Sequence, residues 1–164
     1  ARCLQLLAGS ADPQQDTMAF QLTQLAFWLL GATDGHAKKY SIFLHPGDSY
    51  VMTPLYDILS MWPYVGIGPS QLDARQIGLA IVMRAKNVHY KLHTTLPRHW
   101  HGLAMKHGGP AVWDAMQGLV ERVEPAIDAV AARLPSDSDG RTWQAIANGM
   151  RAQAARFAAG AAQL

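Results

Sequence analysis

Gly31-Ala32-Thr33-Asp34-Gly35-His36-Ala37-Lys38-Lys39-Tyr40-Ser41-Ile42 joins a helix-patterned stretch to a strand-patterned one, and its reading decides the fold. Upstream, Asp12-Pro13-Gln14-Gln15 reads as a helix start, with Asp12 as the N-cap, Pro13 at the first helical position and Gln15 placed to reach back as a capping box. Met18, Leu22, Leu25 and Leu29 then recur at helical spacing, and Gly31 supplies the left-handed terminator. Downstream, 40–44 and 50–54 are short runs rich in aromatic and β-branched residues. His45-Pro46-Gly47-Asp48-Ser49 between them has turn chemistry, which predicts a β-hairpin, the only one expected in the chain.

Two carboxylates follow from this layout. Asp34 precedes the first strand and Asp57 follows the second, and an antiparallel hairpin brings its open ends together. A loop Asp between Gly31 and Gly35, with a second Asp just past a hairpin, matches the working parts of phosphoryl transfer, where one carboxylate accepts a hydroxyl proton and another holds Mg²⁺ beneath the phosphates. That chemistry requires the pair to lie within ~12 Å. Taken alone, Asp34 also reads as an ordinary turn cap and Asp57 as the N-cap of a short helix.

The remainder patterns as helix: 73–83, 97–106, 110–133 and 142–163, with a 62–70 loop and turns at 108–110 and 134–140. The fold class expected is therefore mainly α with one β-hairpin at the catalytic loop, in a single domain over 1–164. With 49% hydrophobic and 16% charged residues the chain can bury a core. Fourteen Lys and Arg against twelve Asp and Glu leave a charge of +2, far from the basic field of an autonomous nucleic-acid binder. The lone Cys3 excludes a disulfide framework or a cysteine metal cluster and suits a reducing, cytoplasmic compartment. The longest apolar run, Leu25–Ala32, is far short of the ~20 residues that span a bilayer, and no membrane role is expected.

The segment from Gly31 to Ile42 resembles the catalytic loop of the HipA-like toxin kinases, and Thr53-Pro54-Leu55-Tyr56-Asp57-Ile58-Leu59-Ser60 resembles their metal-binding segment. Leu79-Ala80-Ile81, Lys86-Asn87-Val88-His89-Tyr90 and Pro97-Arg98-His99-Trp100 are similar to later features of the same family. The resemblance implies a kinase-like C-terminal lobe, with Asp34 as catalytic base, His36 and Lys38 beside it in the loop, and Asp57 as the Mg²⁺ ligand under ATP. It further implies transfer of the γ-phosphate to serine or threonine of a protein, in some members an aminoacyl-tRNA synthetase. The partner it implies is a HipB-like antitoxin of a type II toxin–antitoxin system, with DNA contacted only through that antitoxin.

Two departures stand out. Lys39 occupies the position where the family places a metal-binding Asn, and a charged ammonium has no lone pair for Mg²⁺. Lys39 is then either an obstacle to one metal or a direct phosphate contact that leaves a single Mg²⁺ on Asp57. The chain also shows no β-rich lobe or glycine-rich phosphate loop ahead of the catalytic loop; Gly66-Ile67-Gly68 comes after the metal segment and reads as a plain loop. Only the C-terminal lobe is therefore expected in this chain, with the N-terminal lobe absent from it. A catalytically silent lobe that binds a HipB-like antitoxin is the alternative, and a metal-dependent phosphohydrolase using Asp34, His36 and Asp57 is a third.

Other residues read more plainly. His89, His93, His99, His101 and His107 form no compact zinc motif and are expected on helix faces. Phe20, Phe27, Trp28, Trp100 and Trp113 are expected in the core. Arg75, Arg84, Lys86, Lys91 and Arg98 are expected to give the middle helices a basic, solvated face.

Overall fold

The computed structural model describes residues 2–84 and 88–164. Helix α1 (Arg2–Leu7) precedes α2 (Pro13–Leu30), which runs through the middle of the fold. Asp12 caps α2 by accepting the Gln15 N–H at 3.1 Å, with Pro13 at the first turn as its sequence requires. At the other end Gly31 adopts φ 62°; its N–H bonds Trp28 O and the Ala32 N–H bonds Phe27 O, a Schellman closure.

Strands β1 (Ile42–His45) and β2 (Ser49–Met52) pair antiparallel, Ile42 opposite Met52 and His45 opposite Ser49. Gly47 and Asp48 both take positive φ, which is how three residues reverse the chain. The hairpin is tied to α2 by Asp16, whose buried carboxylate accepts the Met52 N–H at 3.0 Å.

Two sequence expectations fail in the middle of the chain. The predicted helix over 73–83 is a turn followed by β3 (Gly78–Arg84), which pairs antiparallel with β4 (Val88–Lys91), so the first hairpin is not the only one. Asp73 there accepts the Arg75 N–H at 2.8 Å and closes a turn rather than capping a helix. The Ile77-Gly78-Leu79-Ala80-Ile81-Val82 run then favours strand: Ile77 and Leu79 are buried, and a side chain at Gly78 would crowd Tyr90. Arg75, Arg84 and Lys91 accordingly lie on a turn and on strands instead of helices, while Lys86 and Asn87 fall outside the described residues.

Helices α3 (Pro97–His107), α4 (Pro110–Glu121), α5 (Val123–Ala131) and α6 (Gly140–Ala161) complete the fold. The single helix predicted over 110–133 is broken at Arg122, because Pro125 has no N–H to give to the Glu121 carbonyl and the α4 ladder stops there. Helix α6 begins where Asp139 accepts the Arg141 N–H at 3.0 Å.

The aromatic residues do form the core. Trp28 and Trp100 are fully buried, and Trp28 meets Trp100 and Phe157 edge-on at centroid separations of 6.1 and 6.4 Å. Phe20 and Phe27 are buried too, and Trp113 packs against this cluster partly covered. The Trp28 indole N–H donates to Leu92 O at 3.2 Å, and the Arg156 guanidinium lies 5.7 Å over the same ring while donating to the carbonyls of Leu92 and His93. Of the histidines, His89 on β4 stacks on His99 of α3 at 3.8 Å, and His101 meets the edge of Trp113. His99 is only 8% exposed, and its Nδ1 accepts the Leu96 N–H at 3.1 Å.

Two measurements check this packing. Trp28→Ala should cost about 3–5 kcal/mol in urea unfolding, since it removes a large side chain and its hydrogen bond from a fully closed site. Burial first, and then His89 and Arg98, hold the His99 pKa below its ordinary value, and burial does the same for His107. The folded chain thus binds these protons less readily than the unfolded one, so their contribution is complete above about pH 6.5 and is lost as pH falls below it. The thermal midpoint should drop between pH 7.5 and 5.5, and His99→Gln, which keeps an acceptor for Leu96, should flatten part of that drop.

Candidate active site

Three carbonyls at the end of α2 position the site. A helix leaves its last carbonyls without intrahelical donors, and here the segment after Asp57 supplies them. Trp62 Nε1 donates to Leu29 O at 2.9 Å, Ser60 Oγ donates to Leu30 O at 2.7 Å, and Met61 N donates to Gly31 O at 3.3 Å. Asp34 leaves the same helix end three residues after Gly31. The two ends of the hairpin are thereby anchored at one place.

The loop itself is held from below. Gly35 lies so close over the Phe27 ring that any Cβ would penetrate it. Residues Ala37–Lys39 form one 3-10 turn, closed by the Lys39 N–H on His36 O at 2.9 Å. Tyr40, which follows, packs its ring 5.0 Å from Phe20 and 6.2 Å from Phe27, and its hydroxyl is bonded by Gln24. Burial pushes the Tyr40 pKa strongly up, so it is a neutral anchor.

On this support Lys39 bridges the two carboxylates. Its Nζ lies 3.1 Å from Asp34 Oδ2 and is also hydrogen-bonded to Asp57 Oδ2. Asp34 and Asp57, predicted to converge from opposite ends of a hairpin, thus share one ammonium. The Lys39 side chain is 19% exposed, against 55% for Asp34 and 53% for Asp57, so the cation is the covered member of the triad. The Asp57 hydrogen bond, with that from Asp34 second, holds the Lys39 pKa above its ordinary value and the side chain charged.

His36 Nε2 stands 3.2 Å from Asp34 Oδ1, while its Nδ1 is buried without a partner among the described residues. Lys38 sits exposed in the same 3-10 turn and makes no ion pair among the described residues. Asp57 does not cap a helix: 57–61 is irregular, and Asp57 itself takes φ 54°, the left-handed region that a non-glycine residue enters at a cost of about 1–3 kcal/mol. Asx residues tolerate that region best, and Asp48 in the hairpin turn adopts it as well.

A divalent ion shared between Asp34 and Asp57 does not fit this arrangement. Lys39 Nζ occupies the space between the two carboxylates and offers no lone pair to a metal. Among the described residues no three His, Cys, Asp or Glu side chains gather to replace it.

Sequence reasoning had singled out every member of the triad, but not the residues that hold it. Ser60, Trp62 and Tyr56 carry no periodicity, and Tyr56 enters only because its hydroxyl pairs with Ser41 Oγ at 2.7 Å; Phe27, expected in the core, is buried there and also underlies Gly35. The signal that was present is the Gly31 terminator, which requires something to satisfy the carbonyls behind it. A larger cavity of about 520 Å³ adjoins the loop, lined by Cys3, Leu6, Phe20, Tyr40, Ser41 and Met52 among others.

Over 99% of its length the chain superposes, with TM-score 0.81 and 19% sequence identity, on HipA in a complex of Shewanella oneidensis MR-1 HipA, HipB and operator DNA. It spans 36% of the length of that protein. Residues 1–137 match the family model described as the HipA-like C-terminal domain. The chain belongs to the HipA-like C-terminal domain family.

Proposed function

We propose that this chain is the carboxylate-bearing lobe of a toxin kinase that transfers the γ-phosphate of ATP to serine or threonine of a protein. The observation that carries the reading is the convergence of Asp34 and Asp57 from the two ends of one hairpin onto a single cation. In the reaction the hydroxyl oxygen attacks the γ-phosphorus, the bond to the bridging β–γ oxygen breaks, ADP leaves, and Asp34 takes the hydroxyl proton. His36, hydrogen-bonding distance from Asp34, orients that carboxylate. Asp57 is the residue that would hold Mg²⁺ once its ion pair with Lys39 opens, and Lys38 is the exposed cation left to meet phosphate. The cavity beside Ser41 and Tyr40 has the volume and apolar lining of a nucleoside seat.

A HipB-like antitoxin is the partner this reading assigns, with DNA reached only through it; the fold is that of a protein whose structure was solved with both. The lock that Lys39 places on both carboxylates supports a second reading, in which the lobe is catalytically silent and serves as the antitoxin's docking surface.

Phosphate transfer from γ-labelled ATP to a serine/threonine protein substrate separates the two. It is measured for the chain alone and for the chain joined to the amino-terminal portion of a HipA protein. The kinase reading expects transfer in the joined protein, lowered by about 10²- to 10⁴-fold in Asp34→Asn. Absence of transfer from the joined protein, with HipB still bound, contradicts it and establishes the silent lobe.

A further inference from the structure

We propose that Lys39 is a tethered counter-ion that stands in for a divalent cation between Asp34 and Asp57, so that ammonium and metal exclude one another from this site. The proposal deepens the kinase reading and rests on its assignment of Asp57 as the metal-holding carboxylate.

The geometry supports replacement in three ways. The Nζ group is bonded to one oxygen of each carboxylate, the two-point contact that a bridging ion would make. It is delivered by an anchored backbone: the 3-10 turn fixes Lys39, buried Tyr40 pins the next residue, and Gly35 seats the loop on Phe27. The Lys39 side chain is also the least exposed of the three, so it fills the space between the acids instead of reaching over them.

Magnitudes favour the tether. Asp34, Asp57 and Lys39 together carry one net negative charge where the two acids alone would carry two, and the attraction for a divalent ion is weakened accordingly. A short tether presents its charge at an effective concentration in the mM range or above, whereas Mg²⁺ must shed water to compete and is held weakly by one or two carboxylates without phosphate. Entry of metal requires Lys39 to leave both acids.

Mn²⁺, followed through its free electron paramagnetic signal, is the probe. Lys39→Asn should bind Mn²⁺ roughly tenfold or more tightly than the native chain, the scale on which neighbouring groups tune metal sites. Lys39→Arg should behave as native, and Asp57→Asn added to Lys39→Asn should abolish the gain. Equal Mn²⁺ affinity in the native chain and Lys39→Asn would overturn the proposal. Should Lys39→Asn not fold, the native chain decides alone. Equimolar Mn²⁺ should leave the backbone NMR resonances of Asp34 and Asp57 unbroadened, and selective broadening there would overturn the proposal. Neither measurement needs turnover: an inactive chain leaves the proposal standing, while tight Mn²⁺ binding by the native chain defeats it and leaves the kinase reading intact.

Discussion

The unspent carbonyls at the C-terminus of α2 are the constraint on which the site depends. Leu29, Leu30 and Gly31 have acceptors facing outward at a helix end, and Trp62, Ser60 and Met61 satisfy them. Because the loop with Asp34 leaves from that end and the segment after Asp57 returns to it, backbone bookkeeping at one helix terminus sets where two distant acids meet. The hairpin between them supplies the length of the excursion. Asp16, through the Met52 N–H, ties it back to the middle of the same helix.

Two acids placed together are unfavourable without a cation. Lys39 supplies one from within the chain, and the raised pKa of its ammonium is the thermodynamic counterpart of the two contacts. By linkage, this ion triad contributes stability below the ordinary lysine pKa and loses it as pH rises through the higher folded value. More than half of each carboxylate side chain remains exposed, so solvent screens the contribution to stability and the larger consequence is for what can bind. The same three groups therefore look in two directions: on the proposed kinase reading the acids are the working parts of phosphoryl transfer, and on the proposed exclusion the lysine holds the place between them that a shared cation would take.

Much of this was legible in the chain. Pro13 and Gly31 marked α2, the Pro46-Gly47-Asp48 turn marked the first hairpin, and the order of Asp34, hairpin and Asp57 indicated that the acids would converge. Lys39 was visible as a cation where the resemblance implies an amide. What one sequence could not convey was that its Nζ reaches both acids, because that depends on Phe27 under Gly35 and on Tyr40 packed against Phe20. The misread middle has local causes as well. Leu79-Ala80-Ile81 suits strand or helix until its partner strand is known, and Val112, Met116, Val120, Val123 and Ile127 keep helical apolar spacing across the break that Pro125 imposes. The helix-terminus bonds escaped notice because a serine hydroxyl and an indole N–H carry no pattern.

The direct test of the account is the titration of the Lys39 ammonium, followed by NMR through its Nζ nitrogen in the native chain and in Asp57→Asn. The account predicts that Lys39 loses its proton above the ordinary lysine pKa in the native chain and moves back toward that value when the Asp57 charge is removed. An ordinary lysine titration in the native chain, unchanged by Asp57→Asn, would contradict it.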